Sequence, residues 1–319
     1  MRSRKSRAKA VTEFSLIQDY FSKREHYHAE TLLGIGDDAA LLQLLPGEQL
    51  VVSVDTMVEG VHFLKDVDPK ALGHKLLAVN LSDLAAMGAE PRWVTLALTL
   101  PENDSIWLQQ FAEGLFALAS HYQIDLVGGD TTRGPLTLTL QAHGVVPVGK
   151  AIRRDGAQAG DLICVTNRLG AAGYALQQLQ QGQEAANIRH HLERPMPCVE
   201  AGLRLRGYAS AMVDVSDGLL ADLEHILQRS GVGAKLDLES IPFHPALAEL
   251  SVEQQLNFAL VAGDEYQLCF TLPQEAYPLL CRELEEIAVP ITVVGEVEKG
   301  NQLKWSGDWS PASRGYQHF

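Results

Sequence analysis

Aspartates recur in this sequence beside Gly, Ser or Thr, each time at the end of an apolar run. The five segments are Gly36-Asp37-Asp38, Ser53-Val54-Asp55-Thr56, Asn80-Leu81-Ser82-Asp83, Gly128-Gly129-Asp130-Thr131-Thr132 and Asp214-Val215-Ser216-Asp217-Gly218. Carboxylates gathered in one cleft repel one another by about several kcal/mol at an effective dielectric near 20, so a cation has to hold them together. Magnesium suits such a site, because it takes carboxylate, carbonyl, water and phosphate oxygens together. The five segments therefore predict a site with several magnesium ions.

Each segment also has a simpler structural interpretation, since Asp is a common helix cap and turn residue. Asp217 stands two residues before an expected helix at Leu219 and could cap it. Asp83 differs, because it lies late in an expected helix, where the negative end of the helix dipole disfavours an unpaired Asp. Asn80 lies three residues earlier on the same helix face. This placement favours a metal-binding or hydrogen-bonding role for Asp83.

Two glycine-rich stretches have the spacing of phosphate-binding loops without the chemistry. The stretch 144–151 has P-loop spacing, yet Ala151 lacks the hydroxyl that would hold magnesium, and Pro147 removes a backbone N–H donor. The stretch 34–39 fits a relaxed dinucleotide-binding fingerprint, yet its two carboxylates would face a pyrophosphate with nothing to neutralise them. We therefore reject both a P-loop and a dinucleotide-binding loop.

Strand and helix signals alternate along the chain that must position these side chains. Strands are predicted at 49–54, 92–100, 124–127, 136–146, 161–166, 211–215, 266–272, 291–294 and 302–305. Helices are predicted at 69–87, at 104–120 with Asp104 as its cap, at 171–181, after Pro197 and at 219–229, and the stretch 181–191 is predicted to be a loop. Pro, Gly and charged residues cluster at 147–160. The fold class expected is α+β, with a basic extension at 1–13 and two α/β domains at 14–150 and 151–319.

Charge excludes one broad class of function. The chain has 319 residues and a net charge of −14, and five of its 26 basic residues fall within the first nine positions. The remaining 21 basic residues face 40 acidic ones, a balance that repels nucleic-acid backbones. No apolar run approaches the roughly 20 residues that a membrane helix needs. We therefore expect a soluble protein with no nucleic-acid or membrane partner.

The cysteines carry no metal or redox signature. They are Cys164, Cys198, Cys269 and Cys281, and none of them forms a C-x-x-C pair. Cys164 and Cys269 lie inside apolar runs and are expected in the core. Reduced cysteines of this kind are typical of an intracellular protein.

Taken together, the acidic motifs resemble those of the thiamine-monophosphate kinase family. The matching stretches are 34–39, 54–56 followed by 60–63, 80–89, 128–134 and 214–219, and the resemblance runs from about residue 14 to residue 319. Single motifs are shared with the wider aminoimidazole-ribonucleotide-synthetase superfamily, which includes selenophosphate synthetase and a hydrogenase-maturation protein. The combination of all five is typical of the kinase family.

The resemblance implies a fold, an assembly and a reaction. The N-terminal domain would pair with its counterpart in a homodimer to form a central β-barrel, and the C-terminal domain would cover the nucleotide. The reaction would convert ATP and thiamine monophosphate into ADP and thiamine diphosphate, by direct in-line transfer, in the cytoplasm. Such a transfer needs positioning and charge neutralisation more than a general base, since the attacking phosphate oxygen is already anionic near neutral pH.

The resemblance also implies roles for single residues. The magnesium ligands would be Asp38, Ser53, Val54, Asp55, Asp83, Asp130, Asp214 and Asp217, with Val54 acting through its carbonyl oxygen. The ATP contacts would be Gly129, Asp130, Arg154 and Ser216, and the substrate contacts would be His62 and Asp264. The family usually has Glu where this chain has Asp264, so Glu265 could share that role. An aromatic substrate contact is often found at the position of Ser313.

Two other functions stay open at this stage. One is a different ATP-using member of the superfamily. Selenophosphate synthetase would need a reactive Cys early in the chain, whereas here no Cys precedes residue 164, and the hydrogenase-maturation protein ends in a cysteine-bearing tail, whereas this chain ends in Phe319. The other is a non-catalytic protein that keeps the fold and binds nucleotide or metal.

Overall fold

The fold comes from a computed structural model that describes residues 20–22, 26–311 and 313–316. The predicted basic extension at 1–13 lies outside the described residues. The helices are α1 (Pro69–Ala86), α2 (Ser105–His121), α3 (Ala171–Gln180), α4 (Arg189–Glu193), α5 (Val199–Leu205), α6 (Leu219–Ser230), α7 (Val252–Leu260) and α8 (Tyr277–Glu285). The strands are β1 (Thr31–Leu33), β2 (Leu41–Leu42), β3 (Glu48–Val58), β4 (Glu90–Leu100), β5 (Asp125–Arg133), β6 (Thr137–Pro147), β7 (Leu162–Thr166), β8 (Ala211–Asp214), β9 (Gly233–Leu236), β10 (Leu268–Leu272), β11 (Ile291–Glu298) and β12 (Leu303–Trp305).

Four long strands of the first half form one sheet in the order β3-β6-β4-β5. Side chains alternate across it: Leu138 and Leu140 of β6 are fully buried in one core with α1 and α2, as the period of two in a strand requires. The opposite face is open at β3, where Leu50, Val52 and Val54 are 46%, 47% and 57% exposed. The sheet therefore has one face covered by helices and one partly apolar face toward solvent.

Helices α1 and α2 cross so closely that glycine is required at the contact. A Cβ added at Gly73 would lie 2.1 Å from the carbonyl oxygen of Phe111, and one added at Gly114 would lie 1.8 Å from that of Lys70. Glycine lets the two backbones approach where any other residue would clash. The crossing therefore holds α1 and α2 in close backbone contact.

Helix α1 starts and ends as the sequence predicts. The Asp68 side chain accepts a hydrogen bond from the Lys70 backbone N–H at 2.9 Å, and Pro69 occupies the first helical position. Fourteen of its 18 residues are buried, because the second half of the chain packs against the side that the first sheet leaves open. At that contact, a Cβ at Gly202 of α5 would lie 2.2 Å from the carbonyl oxygen of Ala85.

The second half forms a six-stranded sheet in the order β12-β9-β11-β7-β10-β8, with α6 and α7 on one face. Its central strand β7 is buried on both faces: Ile163 and Val165 pack with α6, whereas Cys164 belongs to the core that contains α1. The two halves therefore share one continuous core. In the part of the chain that the structure describes, no helix is long and apolar enough to cross a bilayer.

The structure revises several of the predicted elements. The strand predicted at 49–54 runs from Glu48 to Val58, so Asp55 lies within it and not after its end. The strand predicted at 124–127 continues through Gly128, Gly129 and Asp130 to Arg133, because this stretch pairs in parallel with β4. The aspartate of this motif therefore lies within an edge strand, and the prediction that it follows a strand end was wrong. The stretch predicted as a loop at 181–191 runs into the short helix α4.

Candidate active site

Seven of the predicted site residues, the predicted ATP contact Ser216 among them, line one cavity of about 740 Å³ between the two halves of the chain. The other six are Asp55, His62, Asp83, Asp214, Asp217 and Asp264. These residues come from β3 and the loop after it, from α1, from β8 and the loop after it, and from the loop before β10, so no single segment of the sequence builds the cavity. The shared core of the two halves brings them together.

Two neighbouring residues near the end of α1, Ser82 and Asp83, connect the carboxylates of the two halves by hydrogen bonds. The Ser53 hydroxyl of β3 donates a hydrogen bond to Asp83, and the Ser82 hydroxyl of α1 donates one to Asp214 Oδ2 at 2.7 Å. Asp55 lies two residues after Ser53, on the same face of β3. The three aspartates of this group, Asp55, Asp83 and Asp214, are called the carboxylate cluster below.

The raised pKa values of the carboxylate cluster show that the charged form of these side chains is unfavourable without a cation. Burial, together with the charge of Asp83 and a hydrogen bond to it, raises the pKa of Asp55 to about 7. Burial also raises the pKa of Asp83, against the Ser53 hydrogen bond and the Arg154 charge, and it raises the pKa of Asp214 well above its ordinary value, with the Asp83 charge adding to it. A bound divalent cation would favour the charged form of all three side chains.

The donor set fits a hard cation such as magnesium, since it consists of carboxylate and hydroxyl oxygens. Within the described residues, no three acidic, His or Cys side chains are already arranged to hold one metal ion. Magnesium usually keeps several waters and binds through one or two carboxylates plus substrate phosphates.

A buried aspartate shapes the loop that carries Ser216 and Asp217. Asp222 Oδ2 accepts hydrogen bonds from the backbone N–H groups of Ser216 and Asp217 at 3.0 Å and of Gly218 at 3.2 Å. Burial raises the pKa of Asp222 to about 7, although these N–H groups oppose the rise. Helix α6 has Gly218 as its N-cap with no side-chain cap, so Asp217 does not serve as the cap and lines the cavity.

The same cavity is also lined by His62 and Asp264. The backbone N–H of Val58 donates to His62 Nδ1 at 3.1 Å, which orients the ring. Glu265 lies outside the cavity lining, where it is buried and accepts a hydrogen bond from the Ala172 N–H at the start of α3 at 3.1 Å. Of the two acidic neighbours, Asp264 is therefore the one that faces the cavity. Ser313 also lines it.

A second cavity of about 460 Å³ lies on the other side of Ser53 and Asp83. Arg153, Arg154 and Arg229 line it, together with apolar side chains of β3, α1 and β8. The guanidinium groups offer forked donors for phosphate oxygens. The predicted ATP contact Arg154 is therefore next to the carboxylate cluster.

The remaining predicted residues lie apart from the cluster in this chain. Asp38, Gly129 and Asp130 line a third cavity, of about 860 Å³, at the β5 edge of the first sheet. The side chain of Val54 points to the open face, and among the described residues it lines none of the three cavities. Within one chain, the residues predicted to form a single set of ligands therefore lie in two separate groups.

The sheet register gives the separation of these two groups. Asp55 pairs with Leu140, Leu140 with Leu96, and Leu96 with Gly129, the neighbour of Asp130. Three strand spacings of about 4.8 Å place Asp55 and Gly129 about 14 Å apart. Magnesium binds oxygen at about 2.1 Å, so Asp55 and Asp130 of one chain cannot share an ion.

Sequence reasoning missed two residues that organise the site, Asp222 and Lys75. Lys75 lines the main cavity two helical turns before Asp83, and its Nζ lies 2.9 Å from Asp264 Oδ1. The spacing of eight residues between Lys75 and Asp83 could have indicated that both face the same cavity, because positions i, i+4 and i+8 share a helix face.

Comparison with known proteins assigns most of the chain to one family. The model of the AIR synthase related protein N-terminal domain matches residues 36–146, and that of the C-terminal domain matches residues 158–306. The chain is 45% identical to the thiamine-monophosphate kinase of Escherichia coli strain K12 over 97% of this chain and 99% of the relative. It is 34% identical to that of Bacillus subtilis strain 168 over 97% of this chain and 100% of the relative.

Solved structures agree with these relatives. The crystal structure of thiamine-monophosphate kinase from Stenotrophomonas maltophilia K279a has a TM-score of 0.84 at 48% identity, covering 88% of this chain and 93% of that one. The structure of AaThiL complexed with AMPPCP and TMP has a TM-score of 0.78 at 29% identity, covering 99% of this chain and 100% of that one. The hydrogenase-maturation protein HypE in complex with ATP, at 21% identity and a TM-score of 0.76, shares the fold.

Proposed function

The chain belongs to the thiamine-monophosphate kinase family of AIR synthase related proteins, and we propose that it phosphorylates thiamine monophosphate with ATP. The γ-phosphoryl group of ATP passes to the phosphate of thiamine monophosphate, and the products are ADP and thiamine diphosphate. Relatives named for this activity match nearly the full length of the chain, and one related structure holds AMPPCP and TMP. ATP as a substrate supports a location in the cytoplasm.

The observation that carries the proposal is the carboxylate cluster in the main cavity. Its members have raised pKa values because they are buried beside one another, which suits a site whose substrates bring cations with them. We assign the magnesium ligands to Asp38, Ser53, the Val54 carbonyl, Asp55, Asp83, Asp130, Asp214 and Asp217. When bound, magnesium neutralises the phosphate charges that build up during transfer.

The residues of the chain then bind and orient the two substrates. Gly129, Asp130, Arg154 and Ser216 contact ATP, and Arg154 presents its forked donors beside Asp83. His62 and Asp264 hold thiamine monophosphate in the main cavity. The acceptor oxygen is anionic near neutral pH, so the transfer is direct and in line without a protein base.

We further propose that the active site is shared between two copies of the chain. In the described first sheet, β3 and β5 are the two edge strands, and the open face beside β3 exposes Leu50, Val52 and Val54. Closing two such sheets into one barrel removes both edges and covers this face. In such a barrel, Asp38, Gly129 and Asp130 of one protomer approach the carboxylate cluster of its partner. This arrangement would bring the two groups together, although they lie about 14 Å apart within one chain.

Turnover tests the proposed function directly. Purified protein with ATP, Mg²⁺ and thiamine monophosphate should form thiamine diphosphate and ADP in equal amounts. Chromatography of the reaction mixture measures both products. Omission of Mg²⁺ should stop the reaction. Binding of both substrates without any thiamine diphosphate would show a non-catalytic relative, and a trapped phosphorylated enzyme would rule out direct transfer.

A further inference from the structure

Lys75 is a buried lysine that lies at a substrate cavity and belongs to none of the roles assigned above. It is 4% exposed, and its Nζ lies 2.9 Å from Asp264 Oδ1. Lysine is almost never buried unless it is paired, because taking an unpaired ammonium out of water is costly. The pair also joins the two halves of the chain, since Lys75 lies on α1 and Asp264 on the loop between α7 and β10.

The loop that carries Asp264 needs such an anchor, because its backbone is strained. Asp264 has a φ of 65° and Tyr266 a φ of 50°, both in the left-handed region that non-glycine residues seldom adopt. The Tyr266 hydroxyl donates to the same Asp264 Oδ1 at 2.9 Å, and Glu265 between them is held at the start of α3. Strained backbone of this kind persists when surrounding contacts over-determine it.

The contacts of Asp264 leave one oxygen for a ligand. Lys75 and Tyr266 both donate to Oδ1, and Oδ2 accepts no hydrogen bond from the described residues. The ion pair with Lys75 balances the carboxylate charge, so Asp264 offers the cavity a fixed acceptor more than a bare negative charge. Asp264 still lines the cavity with 29% of its side chain exposed.

Helix α1 carries both ends of the cavity. Lys75, Val79 and Asp83 follow one another at i, i+4 and i+8, and all three line it. Eight residues at 1.5 Å per residue separate Lys75 from Asp83 by about 12 Å along the helix axis. Phosphate chemistry belongs to the Asp83 end, which leaves the Lys75 end for the organic part of the acceptor.

We propose that Lys75 is a positioning residue for the acceptor. Its ammonium holds Asp264 in the strained loop so that Oδ2 accepts a hydrogen bond from a donor on the organic part of thiamine monophosphate. It does not contact the phosphate that is transferred. This inference rests on the proposed function for the identity of the acceptor.

The test compares Lys75→Met with Lys70→Met, a matched control on the same helix whose exposed ammonium lies 3.6 Å from Glu113 Oε2. Lys75→Met should raise the KM for thiamine monophosphate about tenfold or more, as expected for loss of a charge-assisted contact. The KM for ATP should change less than about twofold, and Lys70→Met should match the wild type in both. Lys75→Arg should recover part of the loss, since it keeps the ion pair.

A double variant separates positioning from an independent role. If Lys75 acts through Asp264, Lys75→Met combined with Asp264→Asn should be no worse than the more damaging single variant. Multiplication of the two single effects would overturn the proposal. So would a fall in kcat with an unchanged KM for the acceptor, which would place Lys75 at the transferred phosphate.

Calorimetry of thiamine monophosphate binding, without ATP, keeps this inference distinct from the proposed function. Wild type that binds the compound but does not turn over removes the proposed function, and a tenfold weaker binding by Lys75→Met still supports the role of Lys75. Wild type that turns over while Lys75→Met binds the acceptor equally well overturns the role of Lys75 alone. Melting curves of each variant confirm that the compared proteins are folded.

Discussion

At the scale of single residues, Asp55 is the sharpest test of the carboxylate cluster. Asp55→Asn keeps the shape and removes the charge that a cation needs, so we expect activity to fall by about a thousandfold or more. Steady-state assays at saturating substrate measure this. Asp66→Asn, at an exposed position outside the cavity, is the matched control and should retain full activity. A mildly affected Asp55→Asn enzyme would contradict a metal role for this residue.

The pKa of Asp55 predicts how pH acts on the metal-free protein. A carboxyl whose pKa rises from 3.8 unfolded to about 7 folded keeps its proton longer in the folded state. Its contribution to stability is therefore present at low pH and is lost as the pH rises through about 4 to 7. In EDTA, the Tm should fall as the pH rises from about 4 to 7, and Mg²⁺ should restore it most above pH 7. A flat profile in EDTA would contradict a mutually repelling cluster.

Sequence reasoning found the aspartates and missed their supports for a physical reason. Asp55, Asp83 and Asp214 stand in recognisable segments of polar and small residues, whereas Lys75 looks like any helix lysine until Asp264 is placed beside it. Asp222 looks like an ordinary residue in the first turn of α6. A supporting side chain is defined by its partner, and partners 189 residues apart are set by the fold and not by local pattern.

At the scale of elements, the α1–α2 crossing determines where Lys75 and Asp83 lie. Gly114→Ala would place a methyl group 1.8 Å from a backbone oxygen, which neither helix can move out of the way without separating from the other. We expect a loss of about 2–4 kcal/mol of stability, read as a lower urea midpoint. Gln110→Ala, at an exposed position on the same helix, should change stability little. Equal stability of both variants would contradict a tight crossing.

Element predictions succeeded where the sequence carries its own start and stop signals. Asp68 and Pro69 mark the start of α1, and Asp104 caps α2 as predicted. Helix α7 was missed although Ser251 and Gln254 form a capping box, so that signal was available. The extension of β5 has no local cause, because Gly and Asp are poor strand residues and only pairing with β4 keeps them extended.

At the scale of the whole molecule, the open face of the first sheet decides whether the active site can be completed. Leu50→Glu puts a charge on that face, so we expect a monomer by light scattering and a loss of turnover of about a hundredfold or more. Leu279→Glu, at a comparably exposed leucine of α8, should leave both properties unchanged. A monomeric Leu50→Glu protein with full activity would contradict the shared site.

The fully surrounded position of α1 also has a consequence for how the chain is made. Its last residue is Ala86, but α5 and β8, which cover its second side, are translated only from residue 199 onward. At about 5–20 residues per second, a ribosome needs roughly 6–26 seconds to supply them. During that interval the nascent protein presents an uncovered apolar helix. A gene fragment that stops at the end of β6 would make this exposure permanent, so its product should depend on chaperones or aggregate.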